Sequence, residues 1–135
     1  MKENKNRILV SVYGSLRQNM GNHRLLEKAS YLGEFKTEPV FSLYSLGGFP
    51  GLKEGGTTSV VMEVYEVTEA EAAKVDMLEG YTPGRPATFY DKIPIETPYG
   101  TASVYTYVND IPEDRLVESG DWKEFKSKQL LSSLY

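Results

Sequence analysis

From Ile8 to Tyr13, apolar residues occupy both alternating sets: Ile8, Val10 and Val12 on one, Leu9 and Tyr13 flanking Ser11 on the other. Strands covered on both faces read this way, so residues 8–13 are expected to form a central strand. After the glycine that ends it, Asn22 can cap a short helix carrying Leu25, Leu26 and Ala29. Residues 40–46 and 60–67 read as two more strands. The second is apolar on both faces, with Glu63 and Glu66 as exceptions. Between them, Gly47-Gly48-Phe49-Pro50-Gly51 reads as a loop, because glycine and proline break regular structure. The clearest helix follows. Thr68 and Glu71 make a Thr-x-x-Glu capping box, Val75 and Leu78 can share a face, and Gly80 supplies a left-handed stop. Residues 88–96 and 101–108 form a predicted hairpin, since Thr97-Pro98-Tyr99-Gly100 puts proline and glycine where a type I turn wants them. A second box, Asp121-x-x-Glu124, opens a last helix that Trp122, Phe125 and Leu130 would dock. Most strands are joined by short loops. That order predicts an α+β domain with a mixed, mainly antiparallel sheet, helices on its face, and curling toward a small β-barrel that manages its edges.

Composition narrows the chemistry. A chain of 135 residues with 40% hydrophobic residues suits one domain, residues 1–135, around one core. The net charge of −4 argues against a nucleic-acid partner, and the cluster Lys2, Lys5 and Arg7 reads as a solvated, frayed end. With no cysteine, disulfides and thiolate metal sites are excluded and a cytoplasmic location is expected. No apolar stretch approaches the roughly 20 residues that cross a bilayer, and the start of the chain lacks a signal-peptide pattern. One histidine, His23, rules out a histidine metal cage. Ten tyrosines make phenolic hydroxyls the expected polar tips of the core.

Two stretches can carry chemistry. In Tyr13-Gly14-Ser15-Leu16-Arg17, glycine permits a sharp turn and close approach of another molecule. Successive N–H groups after such a turn can converge on an anion, and Arg17 could add charge. The alternative is a plain strand-ending glycine; the glycines and Lys-Ser/Thr pair of a Walker loop are absent. In Asp76-Met77-Leu78-Glu79-Gly80, Glu79 is the last side chain before the stop. A carboxylate there faces the negative end of the helix dipole, which costs about 0.3–1 kcal/mol and raises its pKa. A raised carboxyl suits general acid–base work; the alternative is a solvated glutamate. Asp76 could share that face. Ser15 as a nucleophile would have to use His23.

Taken together, these segments resemble the gamma-glutamylcyclotransferase-like family, including its bacterial small-protein branch and the gamma-glutamylamine cyclotransferases. The likeness lies in Tyr13-Gly14-Ser15-Leu16-Arg17, Tyr44-Ser45-Leu46-Gly47, Phe49-Pro50-Gly51, Met62-Glu63-Val64-Tyr65 (methionine where glycine is usual) and Asp76-Met77-Leu78-Glu79-Gly80-Tyr81. It continues in Thr97-Pro98-Tyr99-Gly100 and Glu118-Ser119-Gly120-Asp121-Trp122. The resemblance implies a small mixed β-barrel flanked by helices and a small-molecule γ-glutamyl substrate, with neither nucleic acid nor membrane as partner. Residues Tyr13, Gly14, Ser15 and Leu16 would bind the substrate carboxylate through backbone N–H groups. Glu79 would be the catalytic proton acceptor, no metal or cofactor would be needed, and 5-oxoproline would be released. The oxyanion donor could be an amide of residues 14–16, Tyr81 or Tyr105. One departure touches the leaving-group pocket: Tyr90-Asp91-Lys92 stands where a Tyr-x-Arg element is frequent, and lysine cannot make arginine's bidentate clamp. Residues 81–86 could shape that pocket. Three readings follow: a cyclotransferase, a non-catalytic small-carboxylate module using the same loop, and an amidohydrolase using Ser15 and His23.

Overall fold

The computed structural model describes residues 7–133. Lys2 and Lys5 lie outside them, while Arg7 pairs with Glu66 at 3.2 Å rather than fraying. Seven strands and two α-helices follow the order β1 (Ile8–Val12), β2 (Ser30–Lys36), β3 (Phe41–Ser45), β4 (Pro50–Glu54), β5 (Val61–Val67), α1 (Glu69–Glu79), β6 (Tyr90–Thr97), β7 (Gly100–Tyr107) and α2 (Trp122–Ser133).

Five strands make one sheet in the order β2-β5-β1-β7-β6, and β3 and β4 pair separately. All pairings are antiparallel except β1 with β7. Strand β1 is central, as its double apolar pattern predicts. Among the described residues these ladders do not close on themselves: a mixed five-stranded sheet stands beside a separate two-stranded hairpin, and no closed barrel is found. The helix expected after Asn22 is a single 3-10 turn, His23–Leu26.

Two apolar clusters lie at β1 and at the residue that follows it. One joins Val10, Val12, Leu26, Tyr65 and Val75, so that α1 is anchored by its single buried residue, Val75. The other joins Tyr13, Leu43, Leu52, Met62, Val104 and Trp122, and holds α2 and the β3–β4 hairpin. Phe125 stacks on Trp122 at 5.4 Å between ring centroids. Leu130 does not dock; it is 65% exposed.

Both predicted helix starts are present. Thr68 and Glu71 exchange side-chain and backbone hydrogen bonds, and Gly80 closes α1 at φ 70°. Asp121 Oδ1 accepts from the backbone N–H of Lys123 and Glu124, at 3.1 and 3.3 Å. The buried phenols find partners, as expected. Tyr13 donates to Tyr105 O at 2.6 Å, and Tyr90 donates to Pro50 O at 2.7 Å. No helix among the described residues is long and apolar enough to cross a membrane.

A candidate active site at the end of the first strand

Beyond β1 the chain turns away from the sheet and opens a cavity of about 590 Å³. Its wall includes Tyr13, Gly14, Ser15 and Leu16 from this turn, Glu79 from the end of α1, and Tyr90 and Tyr105 from β6 and β7. The two stretches singled out in the sequence, 63 residues apart at Leu16 and Glu79, thus share one concave surface.

Gly14 is required by close approach. A Cβ there would stand 2.6 Å from Pro50 Cγ, at the start of β4. The turn is then locked from behind. Arg17 N–H donates to Gly14 O at 3.0 Å, and Gln18 N–H to the Glu63 carboxylate at 2.9 Å. By contrast, the N–H groups of Gly14, Ser15 and Leu16 donate to no other group among the described residues. Three consecutive unpaired amides beside a cavity can hold an anion. The Tyr13 side chain is committed elsewhere, since its hydroxyl donates to Tyr105 O and accepts from Leu52 N–H at 3.2 Å.

Arg17 contributes no charge to this cradle. It is buried, donating through Nε to Glu63 at 3.0 Å and through a terminal nitrogen to Asp121 at 3.0 Å. Glu63, the polar exception in the β5 pattern, is its partner and is equally buried. Desolvation pushes the Glu63 carboxyl up, but hydrogen bonds from Gln18 N–H, Arg17 and Tyr65 outweigh it and hold the group below its ordinary value.

Asn22 belongs to the cavity wall, although the sequence pattern casts it as a helix cap. Its Nδ2 donates to Ser15 Oγ at 2.9 Å and its N–H to Ser15 O at 2.8 Å, which closes residues 15–22 into a loop. His23 turns away: Nδ1 bonds Leu16 O at 2.9 Å and the ring packs on Tyr65. Ser15 and His23 therefore form no nucleophile–base pair.

Glu79 is half-buried at the C-terminal end of α1, and its carboxyl has no hydrogen-bond or ion-pair partner among the described residues. Burial first, and then the charge of Asp76, push it up to about 7. Helix-end position, the reason given by the sequence, is thus reinforced by desolvation and a neighbouring carboxylate. Burial first, and then neighbouring groups that include Glu79, push the pKa of Tyr13, Tyr90 and Tyr105 up, so all three phenols stay protonated around it.

Asp76 is not a second free carboxyl. Lys92 Nζ donates to its two oxygens at 2.9 and 3.2 Å, and the Tyr105 hydroxyl makes a short hydrogen bond to Oδ1. Lys92 also lies over the Tyr81 ring, 4.9 Å from its centroid. Both Lys92 and Tyr81 stay outside the cavity wall. Lys92 and the hydroxyl of Tyr105, one of the expected oxyanion donors, thus brace the end of α1 through Asp76. Among the described residues no cluster of three or more acidic or histidine side chains is arranged for a metal.

With this geometry in place, comparison with known proteins gives a consistent result. The family model described as gamma-glutamyl cyclotransferase, AIG2-like, matches residues 10–124. The Escherichia coli gamma-glutamylcyclotransferase family protein YtfP is 41% identical over 113 residues, covering 84% of this chain and 94% of that protein. The gamma-L-glutamyl-butirosin B gamma-glutamyl cyclotransferase of Niallia circulans is 33% identical over 119 residues, covering 85% of this chain and 75% of that enzyme. The crystal structure of an uncharacterized protein from Pyrococcus horikoshii superposes with a TM-score of 0.75 at 26% identity, covering 90% of this chain and 95% of that one. The chain belongs to the AIG2-like gamma-glutamyl cyclotransferase family and is an enzyme of that class.

Proposed function

We propose that this enzyme converts a γ-glutamyl amide or peptide into 5-oxoproline and a free amine, with Glu79 carrying the protons. The observation that supports this most is the Glu79 carboxyl, unpartnered and raised to about 7, facing the same cavity as the free N–H groups of Gly14, Ser15 and Leu16. Gamma-L-glutamyl-butirosin B is the compound named for the Niallia circulans relative; this chain is proposed to act on the same γ-glutamyl half.

In this mechanism the substrate's α-carboxylate rests on the three amides, which directs its α-ammonium toward Glu79. Near neutral pH a carboxyl with a pKa of about 7 is close to half ionised. The ionised form accepts a proton from the ammonium. The free amine then attacks the γ-carbonyl carbon, forming the ring C–N bond while an electron pair moves to the carbonyl oxygen. Glu79 returns the proton to the leaving nitrogen, the carbonyl re-forms, the original C–N bond breaks, and the ring nitrogen gives up its second proton through Glu79 to the departing amine, which leaves as an ammonium. One of the ammonium's three protons stays on the lactam nitrogen and two depart with the amine. No enzyme nucleophile is needed, because the substrate holds its own within reach, and holding the two groups in a near-attack pose supplies much of the acceleration. The acid–base role adds a factor of about 10²–10⁴.

Product identity in H2¹⁸O tests this reading. Cyclisation yields 5-oxoproline without isotope from solvent. Glutamate carrying ¹⁸O would indicate hydrolysis instead. Binding of γ-glutamyl compounds with no product at all would support the small-carboxylate module.

A further inference from the structure

Beside the amide cradle and Glu79, the cavity wall includes Phe49, Leu78 and Phe89. These come from three separate places: the β3–β4 turn, the last turn of α1, and the segment entering β6. Each is a large apolar side chain left open to solvent, at 49%, 41% and 53% exposure. Single exposed apolar residues are ordinary, but three converging from distant parts of the chain onto one cavity mouth mark a binding surface.

Charge makes the same point. Among the described residues no Lys, Arg or His side chain lines the cavity, and Glu79 is the one formally charged group in its wall. Nearby cations are already committed: Lys92 to Asp76, Arg17 to Glu63 and Asp121. Arg85 stands on the exposed turn after α1, outside the wall. A carboxylate on the leaving group would be moved from water to an apolar surface without a counter-charge, beside an acidic residue, and that is costly.

We propose that Phe49, Leu78 and Phe89 form a leaving-group subsite for an aryl or alkyl amine, and that this subsite rejects leaving groups bearing a carboxylate. The proposal rests on the cyclotransferase reading of the same cavity. It makes the three side chains specificity determinants that touch the departing half of the substrate.

A matched pair of compounds tests it. γ-Glutamyl-phenethylamide and γ-glutamyl-phenylalanine differ only in the carboxylate; γ-glutamyl-methylamide serves as the small reference. kcat/KM for 5-oxoproline release is measured for all three, and their binding to the same enzyme is measured by calorimetry. The phenethylamide is expected to exceed the phenylalanine compound by about tenfold or more, within the span that apolar pockets achieve. Phe89→Ser and Phe49→Ala, both at exposed positions where the fold tolerates change, should each lower the phenethylamide-to-methylamide ratio about tenfold. Equal or faster turnover of γ-glutamyl-phenylalanine would overturn the proposal, as would an unchanged ratio in both variants. If no compound yields 5-oxoproline, the cyclotransferase reading fails while the affinities still decide the subsite. Tighter binding of the phenethylamide supports it, and equal binding or none overturns it.

Discussion

Arg17→Met should destabilise the protein strongly while leaving the apolar volume at that position nearly filled. In the native state Arg17 and Glu63 are buried to 3% and 1% side-chain exposure and lie 3.0 Å apart. Losing the guanidinium leaves the Glu63 carboxylate with Gln18 N–H and the Tyr65 hydroxyl, each at 2.9 Å, and with Lys123 at 3.4 Å. Removing one member of a buried ion pair costs about 3–5 kcal/mol. Since two neutral donors and one partly exposed cation remain, the lower end applies, and a loss of about 3 kcal/mol is expected. Urea denaturation at pH 7 measures it. A cycle with Glu63→Met and the double variant isolates the pair, which should show a coupling of about 2 kcal/mol. The pH dependence gives a second check. Glu63 is held below its ordinary value in the native protein, so its stabilisation is present above about 4.5 and fades as pH falls. In Arg17→Met the sign reverses, because an unpaired buried carboxylate gains by protonation, and the gap between the two proteins should narrow below pH 5. A loss under about 1 kcal/mol, or a gap independent of pH, would refute the reasoning. Unchanged stability with a raised KM would make Arg17 a substrate contact instead.

Three further outcomes are expected. Gly14→Ala brings a methyl 2.6 Å from Pro50 Cγ, so the cradle must shift; a stability loss of about 1–3 kcal/mol and a raised KM are expected from denaturation and steady-state kinetics. Glu79 sits at about 7 in the folded protein against an ordinary 4.5, so the native state binds the extra proton and stability declines as pH rises from about 4.5 through 7. Glu79→Gln should remove that slope, flattening the pH profile of the urea midpoint by about 1–2 kcal/mol once solvent screening at the cavity mouth is allowed for. Asp76→Asn removes the neighbouring negative charge, which should move the acid limb of kcat/KM to lower pH without abolishing turnover.

Local signals in the chain were legible where one physical rule dominated. The capping box at Thr68 and Glu71, the Gly80 stop and the double-faced pattern of β1 each needed no tertiary information. The two chemical stretches could be named for the same reason: a glycine turn after a buried strand, and a carboxylate at the wrong end of a helix. Strands β2 and β4 escaped notice. β2 is an exposed edge bearing charges and a bulge near Gly33, so it has no apolar alternation. β4 opens with Pro50 and Gly51, residues that read as loop but fit a two-stranded hairpin. Arg17 and Lys92 depended on distant partners: Glu63 lies 46 positions from Arg17 and Asp76 lies 16 from Lys92. Sequence spacing carries no trace of such pairs. The exposed apolar wall of Phe49, Leu78 and Phe89 was equally silent, because its members belong to three separate elements.

The most direct test is kcat/KM for 5-oxoproline release by Glu79→Gln, with its γ-glutamyl ligand affinity measured on the same preparation. Gln keeps the shape and the cradle but cannot carry a proton. A fall of about 10²–10⁴ with affinity nearly retained is the expected result. Full turnover by Glu79→Gln would remove Glu79 from the chemistry and contradict the mechanism.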